Sequence, residues 1–410
     1  MSFSLFSLNQ TLLNTLSKID FHTPTPIQKE VIPLIMAKKD ILAQAQTGSG
    51  KTAAFALPIL NALLLEEETF KKPKIKALLL TPTRELTLQV AEVFKKLSQD
   101  FSKKPKVVAV IGGQSIGEQL LDVQKGCDIL VATSGRLLDI INKKQINLST
   151  IQFFVLDEAD KMLDLNFAEE LDAILECLPK QRQNLLFSAT IAPKIDAIVS
   201  KITNLAVKVT IQSDESVVQT LQQRVFLVNK AYKSALLREL ISSENLEQIL
   251  IFMANKRSCD NIANKFRKYG FNAESFHGDL TQEERIFTLN EFKNKKTNIL
   301  FATDIAARGL DIDTINCVVN FDLPRSAADY IHRIGRTARA GKNGLALTLL
   351  SAEELEHFKL IEKRYKLNIL KEQLDGFEFT QIFEPKLKGE APIKGKRKSK
   401  KDKLREKELK

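Results

Sequence analysis

The sequence predicts an α/β protein made of two tandem parallel-sheet domains and a basic, flexible C-terminal tail. Three observations carry the prediction. Short apolar runs alternate with helix-forming stretches along the chain, as successive βαβ units require. A run such as Phe153-Phe154-Val155-Leu156 is apolar at every position, as in a strand covered on both faces of a parallel sheet. The alternation pauses after Val209, in the polar stretch Ile211-Gln212-Ser213-Asp214-Glu215-Ser216, and restarts at Arg224. The chain has 410 residues, more than one ordinary core needs. The expected divisions are a first domain over 1–208, a linker over 209–220, a second domain over 221–370 and a tail over 371–410.

In the first half the strands expected are Ile41–Ala43, Ala77–Leu80, Val107–Val110, Ile129–Val131, Phe153–Leu156 and Leu185–Phe187. After the first of these comes Ala45-Gln46-Thr47-Gly48-Ser49-Gly50-Lys51-Thr52, then helix-forming Ala53–Leu57. A glycine-bearing loop between strand and helix turns backbone N–H groups toward a phosphate, and the helix N-terminus adds positive dipole. Gln46, Thr47, Gly48, Ser49 and Gly50 would form the cradle, Lys51 would reach the β/γ-phosphates, and Thr52 would hold Mg²⁺. Ala45 stands where the glycine-first form of the pattern has Gly, so the relaxed form is the one matched. The second chemical signal is Asp157-Glu158-Ala159-Asp160, at the C-terminal end of the fifth strand, where open α/β sheets bind ligands. Asp157 suits Mg²⁺, usually through water, and Glu158 suits the base that orients or deprotonates an attacking water. Loop and acids in this order imply an ATPase site.

The second half restarts with Arg224–Val228, Ile249–Phe252, Asn298–Phe301 and Cys317–Asn320. It has neither phosphate loop nor acidic pair, so one domain is expected to complete the other's nucleotide site. Four scattered cysteines, none in a Cys-x-x-Cys pair, argue against zinc and disulfides and suit a reducing cytoplasm. Met1-Ser2-Phe3-Ser4-Leu5 lacks the basic-then-apolar pattern of a signal peptide, and no apolar stretch approaches the roughly 20 residues that span a bilayer. The net charge of +11 sits mostly in the tail, where Lys386–Lys410 holds twelve Lys/Arg against four Asp/Glu. That segment is expected to tether RNA electrostatically.

Further blocks give a family resemblance. Phe3 with Pro24-Thr25-Pro26-Ile27-Gln28, Pro82–Leu86, Gly112-Gly113, Thr133–Arg136, Ser188-Ala189-Thr190, Ile251–Lys256, His277–Arg285, Ala302–Asp311 and His332–Gly341 follow one another in order. With Asp157-Glu158-Ala159-Asp160 they resemble the DEAD-box ATP-dependent RNA helicases of superfamily 2, and the compact core with a short basic tail resembles the bacterial RhlE-like members. The resemblance covers residues from about 3 to 345. It implies two RecA-like domains, ATP with Mg²⁺, RNA as partner, and unwinding of short duplexes or remodelling of RNA–protein complexes. An ATP-gated RNA clamp with slow turnover would use the same motifs. A cytoplasmic monomer is expected, with ribosomal or RNA-decay proteins as candidate partners.

The resemblance also assigns roles to residues. Gln28 and Phe21 would meet the adenine and Asp311 the ribose. Arg336 and Arg339 would act as arginine fingers on the γ-phosphate. Asp160, Ser188, Thr190 and His332 would couple hydrolysis to strand separation. Thr83, Arg84, Gly113, Thr133 and Arg136 in the first domain, with Lys256, Arg285 and Thr303 in the second, would contact the RNA backbone without reading its sequence. Three positions depart from the family pattern: Asp20 stands for the usual Gly, Ser134 for the Pro of Thr-Pro-Gly-Arg, and Ala338 for the middle Gly of Arg-Thr-Gly-Arg. None removes a charged or ligating group, so activity is expected to survive all three.

Overall fold

The computed structural model describes residues 2–45, 48–66, 74–164, 167–190, 193–203, 206–211, 221–244, 246–307, 312, 315–337 and 344–380. Gln46, Thr47, Asp311, Ala338, Arg339, most of the expected linker and the basic segment from Lys386 onward lie outside the described residues.

In the first domain, α1 (Gln10–Lys18) and α2 (Pro26–Met36) precede β1 (Ile41–Gln44) and α3 (Lys51–Leu65). Then come β2 (Ala77–Leu80), α4 (Arg84–Leu97), β3 (Val107–Val110), α5 (Ile116–Gln124), β4 (Ile129–Ala132) and α6 (Ser134–Asn142). The domain closes with β5 (Phe153–Leu156), α7 (Ala159–Asp164), α8 (Ala168–Glu176), β6 (Gln183–Ser188), α9 (Pro193–Ile202) and β7 (Val207–Thr210). The second domain begins with β8 (Leu221–Leu227), α10 (Lys233–Ser243), β9 (Ile249–Met253), α11 (Lys256–Lys268), β10 (Ala273–Phe276) and α12 (Gln282–Lys293). It continues through β11 (Ile299–Thr303), α13 (Asp304–Ala307), β12 (Cys317–Asn320), α14 (Ala327–Ile334), β13 (Gly344–Leu350), α15 (Leu355–Tyr365) and β14 (Lys371–Glu372).

Each domain holds a 7-stranded parallel sheet, ordered β3-β4-β2-β5-β6-β1-β7 in the first and β10-β11-β9-β12-β13-β8-β14 in the second. Successive residues of one strand feed opposite cores. Ile41, Leu79, Val131 and Phe187 pack on one face of the first sheet, and Leu42, Leu80, Leu130 and Leu186 on the other. Ile251, Phe301 and Val319 do the same against Leu250, Leu300 and Val318 in the second. A strand buried on both faces needs apolar residues at every position, which is why these runs do not alternate with polar ones.

Both outer boundaries differ from those expected. Val207–Thr210 pairs with β1, and Ile211 N donates to Gln44 O at 2.9 Å, so the first sheet runs past residue 208. Lys371–Glu372 pairs with β8, and Arg224 holds Glu372 at 2.6 Å. Asn229 Nδ2 donates to Thr380 Oγ1 at 2.9 Å, so the second domain extends through residue 380 rather than ending at 370. Both edge strands are too polar to stand out as apolar runs.

Asp20, in the turn before Phe21, has φ of 55°, in the left-handed region where glycine carries no Cβ penalty. That explains why glycine suits this place. Replacing Asp20 with Gly should raise unfolding stability by about 0.5–1 kcal/mol in a denaturant titration. No gain would show that Asp20 carries no strain.

Candidate functional site

The nucleotide-side groups collect at the C-terminal ends of β5, β6 and β1, which are neighbours in the first sheet. The loop after β1 needs glycine at Gly48 and Gly50, with φ of 81° and 91°, and Gly50 caps α3. Lys51 is 6% exposed and its Nζ donates to Ala45 O at 3.0 Å. The lysine thus curls back over its own loop, held by a carbonyl a phosphate oxygen could replace. Thr52 follows in the first turn of α3, half-buried, and Ser49 precedes the helix on the loop.

Gln28 is fully buried, and its Nε2 donates to Gly50 O at 3.0 Å while its Oε1 accepts from Thr25 N at 2.9 Å. Both bonds run to the protein, which makes Gln28 a brace for the phosphate loop. Phe21 stacks on buried Phe3, with ring centroids 5.2 Å apart.

Asp157 and Glu158 are both buried. Asp157 Oδ1 accepts from Glu158 N at 2.9 Å. Burial pushes the Asp157 carboxyl up, with Lys51 pulling against it. Burial would raise Glu158 too, but Lys161, Lys51 and Arg336 outweigh it and hold that carboxyl below its usual value. Arg336 belongs to the second domain, so the acids already feel a cation from across the seam. Glu158 has φ of 51°, and its Oε2 is buried without a hydrogen-bond partner among the described residues. Held strain and an open acceptor at one residue are what a reaction site displays.

Among the described residues no group of three or more His, Cys, Asp or Glu could hold a metal by itself. The two acids supply part of a sphere only, and Mg²⁺ characteristically takes one or two carboxylates and completes its octahedron with waters and phosphate oxygens. The buried Asp157 carboxylate and the Thr52 hydroxyl are a donor set compatible with such an ion.

The coupling residues lie beside this cluster. Asp160 Oδ2 accepts from Thr190 N at 3.2 Å and from its Oγ1 at 3.3 Å, and Ser188 Oγ donates to Thr190 O at 2.6 Å. These bonds tie the end of β6 to the start of α7. His332 and Arg336 come from α14 and the turn after it, and with Lys161 they line a small cavity at the seam. Burial lowers the His332 pKa, followed by Lys161, with Asp160 opposing. Arg333, which the motif reading does not single out, holds Asp304 through two bonds of 2.6 and 2.7 Å and also bonds Asn320 and Asp322 O. It locks α13 to α14 and so sets where Arg336 emerges.

The second group lies at the C-terminal ends of β2, β3 and β4 in one sheet and of β9, β10 and β11 in the other, three adjacent strands in each. Thr83 caps α4, accepting from Leu86 N at 3.3 Å, and starts the helix at Arg84. The Arg84 guanidinium lies against Gly112 and Gly113, and a Cβ on Gly113, whose φ is 83°, would collide with it. Burial, then neighbouring Arg285 and Arg136, disfavour the Arg84 charge while Glu85 opposes them. A crowd of cations of this kind favours an incoming polyanion. Thr133 caps α6, and Arg136 Nη1 donates to Gln114 O at 2.9 Å. Ser134 Oγ donates to Glu170 Oε2 at 2.5 Å, binding α6 to α8 where proline would offer no hydroxyl. In the second domain Lys256 is half exposed and pairs with Asp279, and Thr303 ends β11.

Arg285 departs from its expected role. It is buried, and its Nε donates to Glu85 Oε1 at 2.7 Å across the domain boundary. Arg285 is therefore committed to protein, as a clamp between domains, and its guanidinium also covers the Phe276 ring. The capping box of Thr281 and Glu284 starts α12 and points Arg285 and Gln282 toward α4. Arg84 Nη1 reaches Gln282 Oε1 at 3.4 Å, a second link over the same seam. Glu85 carried no signal in sequence beyond its place in Pro82–Leu86.

Residues 25–198 match the family model described as DEAD/DEAH box helicase, and residues 232–341 that described as helicase conserved C-terminal domain. The DEAD-box ATP-dependent RNA helicase CshA of Bacillus subtilis (strain 168) is 40% identical over 383 residues, spanning 92% of this chain and 76% of the relative. Among solved structures, S. cerevisiae Dbp5 bound to RNA and ADP BeF3 matches with a TM-score of 0.80 at 30% identity, covering 91% of this chain and 96% of that one. A single-substitution variant of Dbp5 bound to Nup159, a Gle1 variant, IP6 and ADP reaches 0.63 at 29% identity, covering 90% and 96%. Nearly the same sequence thus scores differently in two liganded forms, and this chain lies nearer the form bound to RNA and ADP BeF3.

Proposed function

The chain belongs to the DEAD/DEAH box helicase family, and from that premise we propose that it is an ATP-dependent RNA helicase whose two RecA-like domains close over ATP and single-stranded RNA together. The observation that carries the reading is the seam cavity, where His332 and Arg336 of the second domain meet Lys161, the ion-pair partner of Glu158 in the first. A catalytic base on one domain and a cation on the other make hydrolysis depend on closure.

The phosphate loop and Lys51 bind the triphosphate, with Phe21 and Gln28 beside the adenine and Asp311 at the ribose. Thr52 and Asp157 would hold Mg²⁺, which would supply charge neutralisation for the triphosphate. Glu158 takes a proton from the attacking water, and Arg336 with Arg339 stabilises the charge that builds on the γ-phosphate. Asp160, Thr190, Ser188 and His332 carry the state of this site to the strand ends that hold RNA. There Arg84, Gly113, Thr133, Arg136, Lys256 and Thr303 grip the backbone, and contacts of that kind position a strand without reading its bases.

Steady-state hydrolysis tests the reading. Single-stranded RNA should stimulate ATP turnover where a matched DNA oligonucleotide does not, and Glu158→Gln should lower the stimulated rate by about 10²–10⁴-fold. Equal stimulation by DNA, or a fully active Glu158→Gln protein, would refute it.

The fit of Arg84 against Gly113 generates a second test. Gly113→Ala displaces that guanidinium, so RNA affinity should fall by about tenfold and the salt dependence of binding should flatten by about 0.7 in log–log slope. ATP affinity should stay unchanged. Wild-type RNA affinity in this variant would show that Arg84 is not a backbone contact.

A further inference from the structure

Among the described residues, Lys161 is the one buried cation at the base of the proposed nucleotide site with no task in hydrolysis assigned to it. Its side chain is 4% exposed, and its Nζ lies 2.5 Å from Glu158 Oε1. The other carboxylate oxygen, Oε2, is buried and has no hydrogen-bond partner among the described residues. Lys161 lies three residues beyond Glu158, in the first turn of α7, where its N–H donates to Glu158 O at 3.0 Å. Backbone and side chain of the same residue therefore both fasten Glu158.

Burying an ammonium is costly unless a specific partner compensates it, and here the partner is the catalytic carboxylate rather than a surface acid. The lysine also lines the seam cavity together with His332 and Arg336 of the second domain. A carboxylate has two equivalent oxygens and turns freely about its last bond unless something occupies one of them. Lys161 occupies Oε1, and Glu158 is itself buried, so little room is left for the carboxylate to turn.

We propose that Lys161 is a positioning residue for hydrolysis, holding Glu158 by Oε1 so that Oε2 is the oxygen presented to the attacking water. The inference rests on the assignment of Glu158 as base. In the step it serves, the water oxygen bonds to the γ-phosphorus and the bond from that phosphorus to the β–γ bridging oxygen breaks. The electron pair leaves with ADP, and the water proton passes to Oε2. Lys161 keeps its own protons throughout.

The test compares wild type, Lys161→Met, Lys161→Arg and Glu158→Gln in the full chain at saturating RNA. Lys161→Met should lower kcat by about 10- to 100-fold, the loss expected when a catalytic group is held in the wrong place. The affinity for a fluorescent non-hydrolysable ATP analogue should stay within about twofold of wild type, and Lys161→Arg should recover most of kcat. Wild-type kcat in Lys161→Met would overturn the proposal. So would a loss of analogue affinity matching the loss of kcat, which marks a structural role only. If Lys161→Met does not fold, Lys161→Gln takes its place with the same expected outcomes. Failure of Glu158→Gln to reduce turnover would instead refute the base assignment, which separates the two claims.

Discussion

A buried ion pair joins the two halves of this molecule. Glu85 at the start of α4 and Arg285 on α12 meet at 2.7 Å, with side chains only 4% and 9% exposed. Pairs of this kind add little net stability compared with an apolar contact, because both ions lose their hydration. Their strength lies in what happens when one partner is missing, since the other is then buried with an uncompensated charge, at about 3–5 kcal/mol. The pair therefore selects one relative placement of the domains over its neighbours more than it glues them. Arg84 and Gln282 lie one step away on the same two helices, so the grip that unites the domains borders the groups proposed to hold RNA.

The architecture explains why one such contact serves two sites. Each sheet is parallel, so every strand delivers its loop to the same end. In the first sheet β1, β6 and β5 gather the phosphate loop, Ser188 and the acids, while β2, β4 and β3 gather the groups proposed to bind the RNA backbone. In the second, β9, β11 and β10 end on the side proposed for RNA, and Arg336 follows α14 at the seam cavity. Two lines of loops, set opposite each other, share one seam. In the proposed reading, a seam closed on RNA also holds Arg336 on the Glu158 side, which would give hydrolysis a physical reason to depend on RNA.

Most of the strands were legible as apolar runs because they are buried on both faces. Ala273–Phe276 was not, since Glu274 and Ser275 interrupt it at a sheet edge, and Lys371–Glu372 is short and charged. Gly344–Leu350 is apolar almost throughout, yet the strands expected in the second half stopped at Cys317–Asn320. Lys51, Asp157 and Glu158 could be singled out from local spacing alone, because the phosphate loop and the acidic run each follow an apolar strand. Arg285 was misread because its partner is 200 residues away in sequence. Lys161 was overlooked for a related reason: Glu and Lys three apart on a helix are ordinarily a solvated pair, and only burial distinguishes this one. Long-range pairing and burial are properties of the fold, and local pattern does not report them.

The account depends most on Glu85 and Arg285 selecting the closed arrangement. Single-molecule energy transfer between dyes on the two domains, with RNA and ADP BeF3 present, tests this directly. Wild type should populate a compact state, and Arg285→Ala should shift the distribution toward separated domains by a factor of about 100 or more in the closed-to-open ratio. A closed population in Arg285→Ala equal to wild type would contradict the claim that this pair sets the arrangement on which both sites rely.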